Sequence, residues 1–151
     1  MTSITIRNAE LTDIDWLIPE LREFSKFFGS KIPLFDDEQY ARDGLKNLIT
    51  SHLFFVASSG DKPVGFISGL VTNHIWNPKI KVLTEVFWWV IPAYRTASKA
   101  GLMLLKAFTD WGTGHVNWIN FTLEHNSPVS DRSLLKRGFK PTETNYLLEV
   151  T

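Results

Sequence analysis

The chain contains no cysteine, which excludes disulfides, thiolate nucleophiles and zinc sites with cysteine ligands and suits a reducing cytoplasm. It also has no excess charge of either sign, because its 16 basic and 16 acidic residues cancel. We therefore expect neither nucleic acid nor a membrane as a partner. No apolar run reaches the roughly 20 residues of a membrane-spanning helix, and no basic stretch leads into an apolar one at the N-terminus. We expect a soluble, unprocessed, cytoplasmic protein.

Internal repeats, low-complexity tracts and linkers are absent as well. The 151 residues, 44% of them hydrophobic, are enough for one core, so we expect a single domain over residues 1–151. The histidines are scattered among different elements without the spacing of metal ligands, so no metal is expected.

Hydrophobic periodicity predicts a mixed α/β order of elements. Strands are predicted at residues 4–6, 53–57, 64–72, 80–90, 118–123 and 146–150, with a turn around Gly60 joining the second and third. Two helices are predicted to begin at capping residues, the first at Thr12 or Asp13 and the second at Asp36 and Asp37. A third is predicted at 97–111, ended by Gly112 and Gly114, and a fourth at 130–137, ended by Gly138.

The junction after the long strand is the most informative segment. Pro92 ends the strand, and a run of small residues then opens an amphipathic helix. Small side chains leave the N–H groups of a first helical turn uncovered, and those donors with the helix dipole favour a phosphate or pyrophosphate. Arg95 and Lys99 add positive charge there. An ordinary strand-to-helix turn with solvated cations is the alternative. The small residues are Thr96, Ala97, Ser98, Ala100 and Gly101.

The run from Val90 to Leu105 resembles the acyl-CoA pyrophosphate loop and following helix of the GNAT N-acetyltransferases, in particular small phage-encoded members. The family signature reads Arg or Gln, two variable residues, Gly, one variable residue, then Gly or Ala. Arg95 and Ala100 match its ends, whereas Ser98 stands where Gly is usual. The resemblance covers nearly the whole chain, because residues 4–9, 62–66 and 136–139 also resemble family segments.

The resemblance implies a GNAT fold, with a central, mixed but mostly antiparallel sheet flanked by helices. It implies acetyl-CoA as cosubstrate and direct transfer of the acetyl group to a primary amine of a small molecule or a protein. The long strand and the strand starting at Trp118 should splay apart, and the pantetheine arm should pair with the backbone near Trp89, Val90 and Ile91. The pyrophosphate would lie on the turn formed by Arg95, Thr96, Ala97, Ser98, Lys99, Ala100 and Gly101.

Glu85 is the candidate general base, since many family members carry a Glu on the corresponding strand. Strand alternation puts it on one face with Leu83, Phe87 and Trp89. Desolvation by such neighbours should raise the pKa of the carboxyl and make it a better base at neutral pH. The alternative is a charged residue on an exposed stretch of strand.

Two positions depart from the family pattern. Leu134 stands where many members have a Tyr that protonates the leaving thiolate, so another group or water must do so. Asn126 follows the fifth strand about where members have an Asn that contacts the pantetheine arm, and is carried over as a second active-site residue with a one-residue offset from Gly138. Ser98 and the missing Tyr keep open a catalytically weakened module that binds CoA or a protein. A homodimer formed through a sheet edge or an aromatic patch is also an expectation.

Overall fold

The computed structural model describes residues 3–150, apart from the side chain of Phe28. No helix in this range combines the length and apolar character needed to cross a membrane. The elements confirm the mixed α/β order predicted above. They are β1 (Ile4–Asn8), α1 (Ile14–Ser25), α2 (Glu38–Ser51), β2 (Leu53–Ser59), β3 (Lys62–His74), β4 (Asn77–Val90), α3 (Ala100–His115), β5 (Trp118–Asn120) and α4 (Arg132–Lys136).

The strands form one sheet in the order β1-β2-β3-β4-β5. The first four strands pair antiparallel and only the β4–β5 pair is parallel, so the sheet is mixed and mostly antiparallel, as expected. The tight turn between β2 and β3 contains Gly60 at φ 61°, a left-handed conformation that glycine adopts without a steric penalty.

Both faces of the sheet are covered. Leucines of α1 and α2 pack with Phe54, Phe66, Phe87 and Trp89 on one face, which we call the α1–α2 cluster. On the other face α3 packs Leu104 and Phe108 against residues such as Ile67, Leu83 and Val90, which we call the α3 cluster. Apolar side chains that alternate along buried strands require such cover on each face.

The caps of two helices follow the sequence. The Asp37 carboxylate accepts a hydrogen bond from the Tyr40 N–H at 2.9 Å, which confirms that Asp37 caps α2. After α4, Gly138 takes φ 89°, and the Phe139 N–H donates to the Leu134 carbonyl. This is the left-handed helix end predicted for the glycine.

The predicted end of α3 at Gly112 is wrong, because the helix runs on to His115. A Cβ at Gly112 would lie 2.5 Å from the Ile119 Cδ1 atom of β5. The glycine therefore lets the helix approach the strand closely rather than ending the helix. The following strand is also shorter than the predicted 118–123, since it ends at Asn120.

The predicted strand at 146–150 is wrong as well, because this segment forms no ladder with any described strand. Tyr146, Leu147, Leu148 and Val150 are each between 79% and 93% exposed. Glu149 anchors the segment, accepting hydrogen bonds from the Ser30 hydroxyl and from the Lys31 N–H. A strand-like composition does not make a strand where no neighbouring backbone offers hydrogen bonds.

Gly112→Val should destabilise the protein by about 1–3 kcal/mol, because the new side chain must displace Ile119 from a packed contact. Chemical denaturation measured by circular dichroism tests this. Gly114→Ala is the matched control on the same helix, where a new Cβ meets no atom within 4 Å, and it should stabilise the protein by about 0.5–1 kcal/mol. Unchanged stability of Gly112→Val would contradict the close approach.

Candidate active site

The central strands separate at one end of the sheet. The parallel pairing of β4 with β5 ends at Thr84 and Asn120, in agreement with the splay that the resemblance implies. Beyond that point a cavity of about 510 Å³ opens between the end of β4 and the chain that follows β5. One wall is formed by β4, through residues 85, 86 and 88–90. The chain after β5 forms the opposite wall, through residues 122–124 and 127–129, and Phe24 and Phe27 near the end of α1 also line the cavity.

A β-bulge lies at the point of separation. Ser68 of β3 faces Phe87 and Gly69 faces Glu85, so Val86 has no partner on β3. A bulge of this kind bends its strand and exchanges the faces of the residues on either side of it. Leu83 accordingly packs in the α3 cluster, whereas Phe87 packs in the α1–α2 cluster. The prediction that Leu83, Glu85, Phe87 and Trp89 share one face is therefore wrong.

The backbone of β4 presents an open edge to the cavity. The Ile91 N–H donates to the Val64 carbonyl across the ladder at 2.9 Å, so its amide is already paired. Because hydrogen-bonding directions alternate along an antiparallel pair, the N–H and C=O groups of Val90 and Trp88 point the other way, toward the gap. Of the strand-end residues expected at the site, Trp89 and Val90 line the cavity and Ile91 does not.

Glu85 lies at the inner end of this edge. Its carboxyl accepts a hydrogen bond from the Thr122 N–H at 3.4 Å, across the gap. Burial raises the pKa of Glu85 to about 8, the Thr122 N–H opposes that rise, and the nearby charge of Glu124 adds to it. A carboxyl of this kind holds a proton at neutral pH and exchanges it close to that pH.

Arg95 projects from the turn into the same cavity. Its Nε–H donates to the Val90 carbonyl at 2.9 Å, and its guanidinium carbon lies 4.4 Å from the centre of a Trp89 ring and 5.8 Å from that of Phe27. Burial lowers the pKa of Arg95 from its ordinary value. None of the ion pairs within residues 3–150 includes it. Its Nη2 group is buried without a hydrogen-bond partner.

The turn between β4 and α3 begins an α-helix that no side chain caps. The Ser98 hydroxyl donates to the Tyr94 carbonyl at 2.6 Å and accepts from the Ala100 N–H at 3.3 Å. It therefore braces the turn and uses one of the N–H groups of the helix start. Thr96 and Gly101 line the cavity, whereas Ala97, Ser98, Lys99 and Ala100 lie outside its lining.

Asn126 lies beside the cavity rather than in its wall. Its side-chain amide donates to the Phe27 carbonyl at 3.4 Å and so ties the loop after β5 to the segment that follows α1. Its neighbour Ser127 lines the cavity, in keeping with the one-residue offset noted in the sequence. Leu134 is buried, with 7% of its surface exposed.

Several residues that line the cavity were not among the predicted site residues, and they include Trp88, Glu124 and Ser127. The Trp88 indole N–H is buried without a hydrogen-bond partner, and its ring lies 3.7 Å from where a Gly101 Cβ would be. Glu124 lies across the cavity from Glu85 because β4 and the chain after β5 separate, and a local sequence pattern does not show such a separation. The offset from Gly138 was the one available signal for Ser127.

Comparison with known proteins gives likeness in structure but not in sequence. No protein-family model matches the chain, and no curated protein matches it significantly. A transcriptional regulator from Bacillus halodurans C-125 superposes with a TM-score of 0.75 at 18% identity, over 97% of this chain and 99% of that one. A predicted acetyltransferase from Clostridium acetobutylicum, solved with acetyl-CoA, superposes with a TM-score of 0.74 at 14% identity, over 97% of this chain and 96% of that one.

An aminoglycoside acetyltransferase from an uncultured soil metagenomic sample, solved with trehalose, gives a TM-score of 0.63 at 18% identity, over 98% of this chain and 94% of that one. At such identities the likeness is one of fold. Together with the mixed, mostly antiparallel sheet flanked by helices, it confirms the fold class predicted from the sequence. The chain has the fold of the GNAT-type acetyltransferases.

Proposed function

We propose that the protein is an N-acetyltransferase that moves an acetyl group from acetyl-CoA directly to a primary amine of a small molecule or a protein. One observation carries the proposal. A single cavity combines the half-buried carboxyl of Glu85, the free backbone edge of β4 and Gly101 of the first turn of α3. These are the groups needed to take a proton, to hold an extended amide-bearing arm and to bind a phosphate.

The residues present fit such a donor. An uncapped helix start with Lys99 beside it suits a pyrophosphate. The Trp88 backbone groups and the Val90 N–H, on the edge of β4 away from β3, suit the amides of a pantetheine arm, in the way that an extended peptide pairs with a sheet edge. The buried, unpartnered donors of Arg95 and Trp88 are groups that a polar ligand would satisfy. A cavity of about 510 Å³ lies within the range of small-molecule pockets.

Glu85 is the proposed general base. Acetyl-CoA, when bound, supplies the acetyl group as an activated thioester. As the amine nitrogen bonds to the acetyl carbon and the carbon–sulfur bond breaks, the nitrogen must lose a proton, and the Glu85 carboxylate takes it. A base is most effective when its pKa lies near the working pH, which the value of about 8 satisfies. The departing thiolate takes its proton from water or from a hydroxyl lining the cavity, since Leu134 has none.

A cationic acceptor suits the charges of the cavity. Glu124 lines the cavity beside Glu85, and a carboxylate in a largely apolar pocket attracts an ammonium group. The likeness in fold to an aminoglycoside acetyltransferase supports the same class of acceptor. Primary amines are therefore the acceptors to test first, with polyamines and aminoglycosides among the small molecules and lysine side chains among the proteins.

A catalytically weakened module that binds CoA or a protein is the second candidate. Two observations favour it. The Ser98 hydroxyl uses the Ala100 N–H, which would otherwise be free for a phosphate, and Leu134 cannot protonate a thiolate. Saturable binding of acetyl-CoA with no acetylation across a panel of amines would select this candidate.

Arg95→Ala should weaken the binding of acetyl-CoA by about tenfold, because it removes a buried charged donor from the cavity. Isothermal titration calorimetry of the purified protein measures this directly. Lys46→Ala is the control, since it removes an exposed cation of α2 outside the cavity lining. Equal affinity in wild type and Arg95→Ala would remove the cavity as the donor site.

Glu85→Gln should lower kcat by about 10²–10⁴-fold with little change in the affinity for acetyl-CoA, because the amide cannot accept a proton. The wild-type rate should rise with pH, reach half of its maximum near pH 8, where half of Glu85 has lost its proton, and level off above that pH. The variant should lack that rise. A pH–rate profile from thiol release measures both, and an unchanged profile in Glu85→Gln would remove Glu85 as the base.

The stability of the same variant provides a control on folding. The pKa of Glu85 is raised from 4.5 to about 8 in the folded protein, so the folded state holds a proton that the unfolded state has lost between these values. Wild-type stability should therefore fall as the pH rises through that window, whereas Glu85→Gln should show no such fall from this group. Thermal unfolding at pH 4 and pH 8 distinguishes this from general damage by the substitution.

A further inference from the structure

The Trp89 ring is held from α1 by a charged group. Its indole N–H, the one polar group of the side chain, donates to the Glu20 carboxylate at 2.9 Å. Phe24 and Phe27 approach the ring edge-on, with centroids 5.8 and 5.5 Å away. The aromatic contacts fill the space around the ring. The hydrogen bond to Glu20 fixes the direction in which the N–H points, and so how the ring is turned.

The Arg95 guanidinium rests on this ring, 4.4 Å from its centre. None of the ion pairs within the described residues 3–150 offers it a carboxylate, so the Trp89 ring face, the more distant Phe27 ring and the Val90 carbonyl hold it inside the cavity. An indole whose N–H donates to a carboxylate carries more electron density on its face, because hydrogen bonds polarise one another in a low-dielectric interior. A cation over that face is then held more firmly.

We propose that Glu20 is a positioning residue, which holds the Arg95 guanidinium inside the cavity through the Trp89 ring and thereby sets the affinity for the acyl donor. Glu20 itself does not line the cavity. The negative charge on α1 thus acts on the cation of the turn by way of an aromatic ring between them. The part that concerns donor affinity rests on the proposed function, whereas the position of Arg95 does not.

The first test needs no ligand. The Arg95 Nε–H gives its own ¹H–¹⁵N signal, identified by its loss in Arg95→Ala. That signal should lie upfield because of the ring current of Trp89, and should exchange slowly because the group donates to Val90. In Glu20→Leu the signal should move toward the position of a solvated arginine and exchange faster. Glu23→Leu is the matched control on the exposed side of α1 and should leave the signal in place.

The second test is a double-mutant cycle on the binding of acetyl-CoA, measured by calorimetry. Glu20→Leu and Trp89→Phe should each weaken binding roughly three- to tenfold, and Glu20→Gln, which keeps an oxygen acceptor but no charge, should lie in between. In an Arg95→Ala background, Glu20→Leu should have almost no further effect. A residue that merely supported the fold would lower affinity equally in both backgrounds.

The outcomes separate the two proposals. An Arg95 signal that stays in place in folded Glu20→Leu overturns the positioning role, whatever the affinity does. Additive losses in the double-mutant cycle overturn it too. If wild-type protein does not bind acetyl-CoA, the proposed function fails, and the Arg95 signal still decides whether Glu20 positions the guanidinium.

Discussion

The arrangement of the site follows from the point where β4 loses one of its two neighbours. A strand inside a sheet satisfies its N–H and C=O groups on both edges, and buried groups without partners are costly. After Thr84, β4 keeps β3 on one side and has no strand on the other. The fold accommodates this by leaving a cavity along the free edge. Part of that edge is covered by the Arg95 side chain, whose Nε–H reaches the Val90 carbonyl.

Elements whose hydrophobic pattern is long and consistent were predictable. The β2–β3 hairpin, the long strand β4 and the amphipathic α3 all follow from residues near each other in the sequence. Features set by distant contacts were not. The bulge at Val86 depends on its pairing with β3, and the role of Gly112 depends on Ile119 of β5. The bulge overrides the rule that every second residue of a strand lies on the same face. Gly112 overrides the rule that a glycine near a helix end stops the helix, because packing against β5 outweighs local propensity.

The candidate site divides along the same line. Glu85 and Arg95 stand out locally, one as an acid in a strand and the other as the first residue of a turn of small residues. Trp88, Glu124 and Glu20 take their significance from partners far away in the chain. A tryptophan in a buried strand is typical of a core, and a glutamate on an amphipathic helix is typical of a surface. Their position relative to the cavity appears only when α1, β4 and the chain after β5 are brought together.

The exposed segment after Phe139 divides the molecule into parts of unequal stability. Its backbone takes part in no ladder with the described strands, and Glu149 ties it to the loop at Ser30 and Lys31 through hydrogen bonds. Loss of that contact would open the segment without disturbing either buried cluster. Its amide protons should therefore exchange with deuterium almost as fast as in an unfolded chain. Those of the β3–β4 ladder should exchange only through global unfolding.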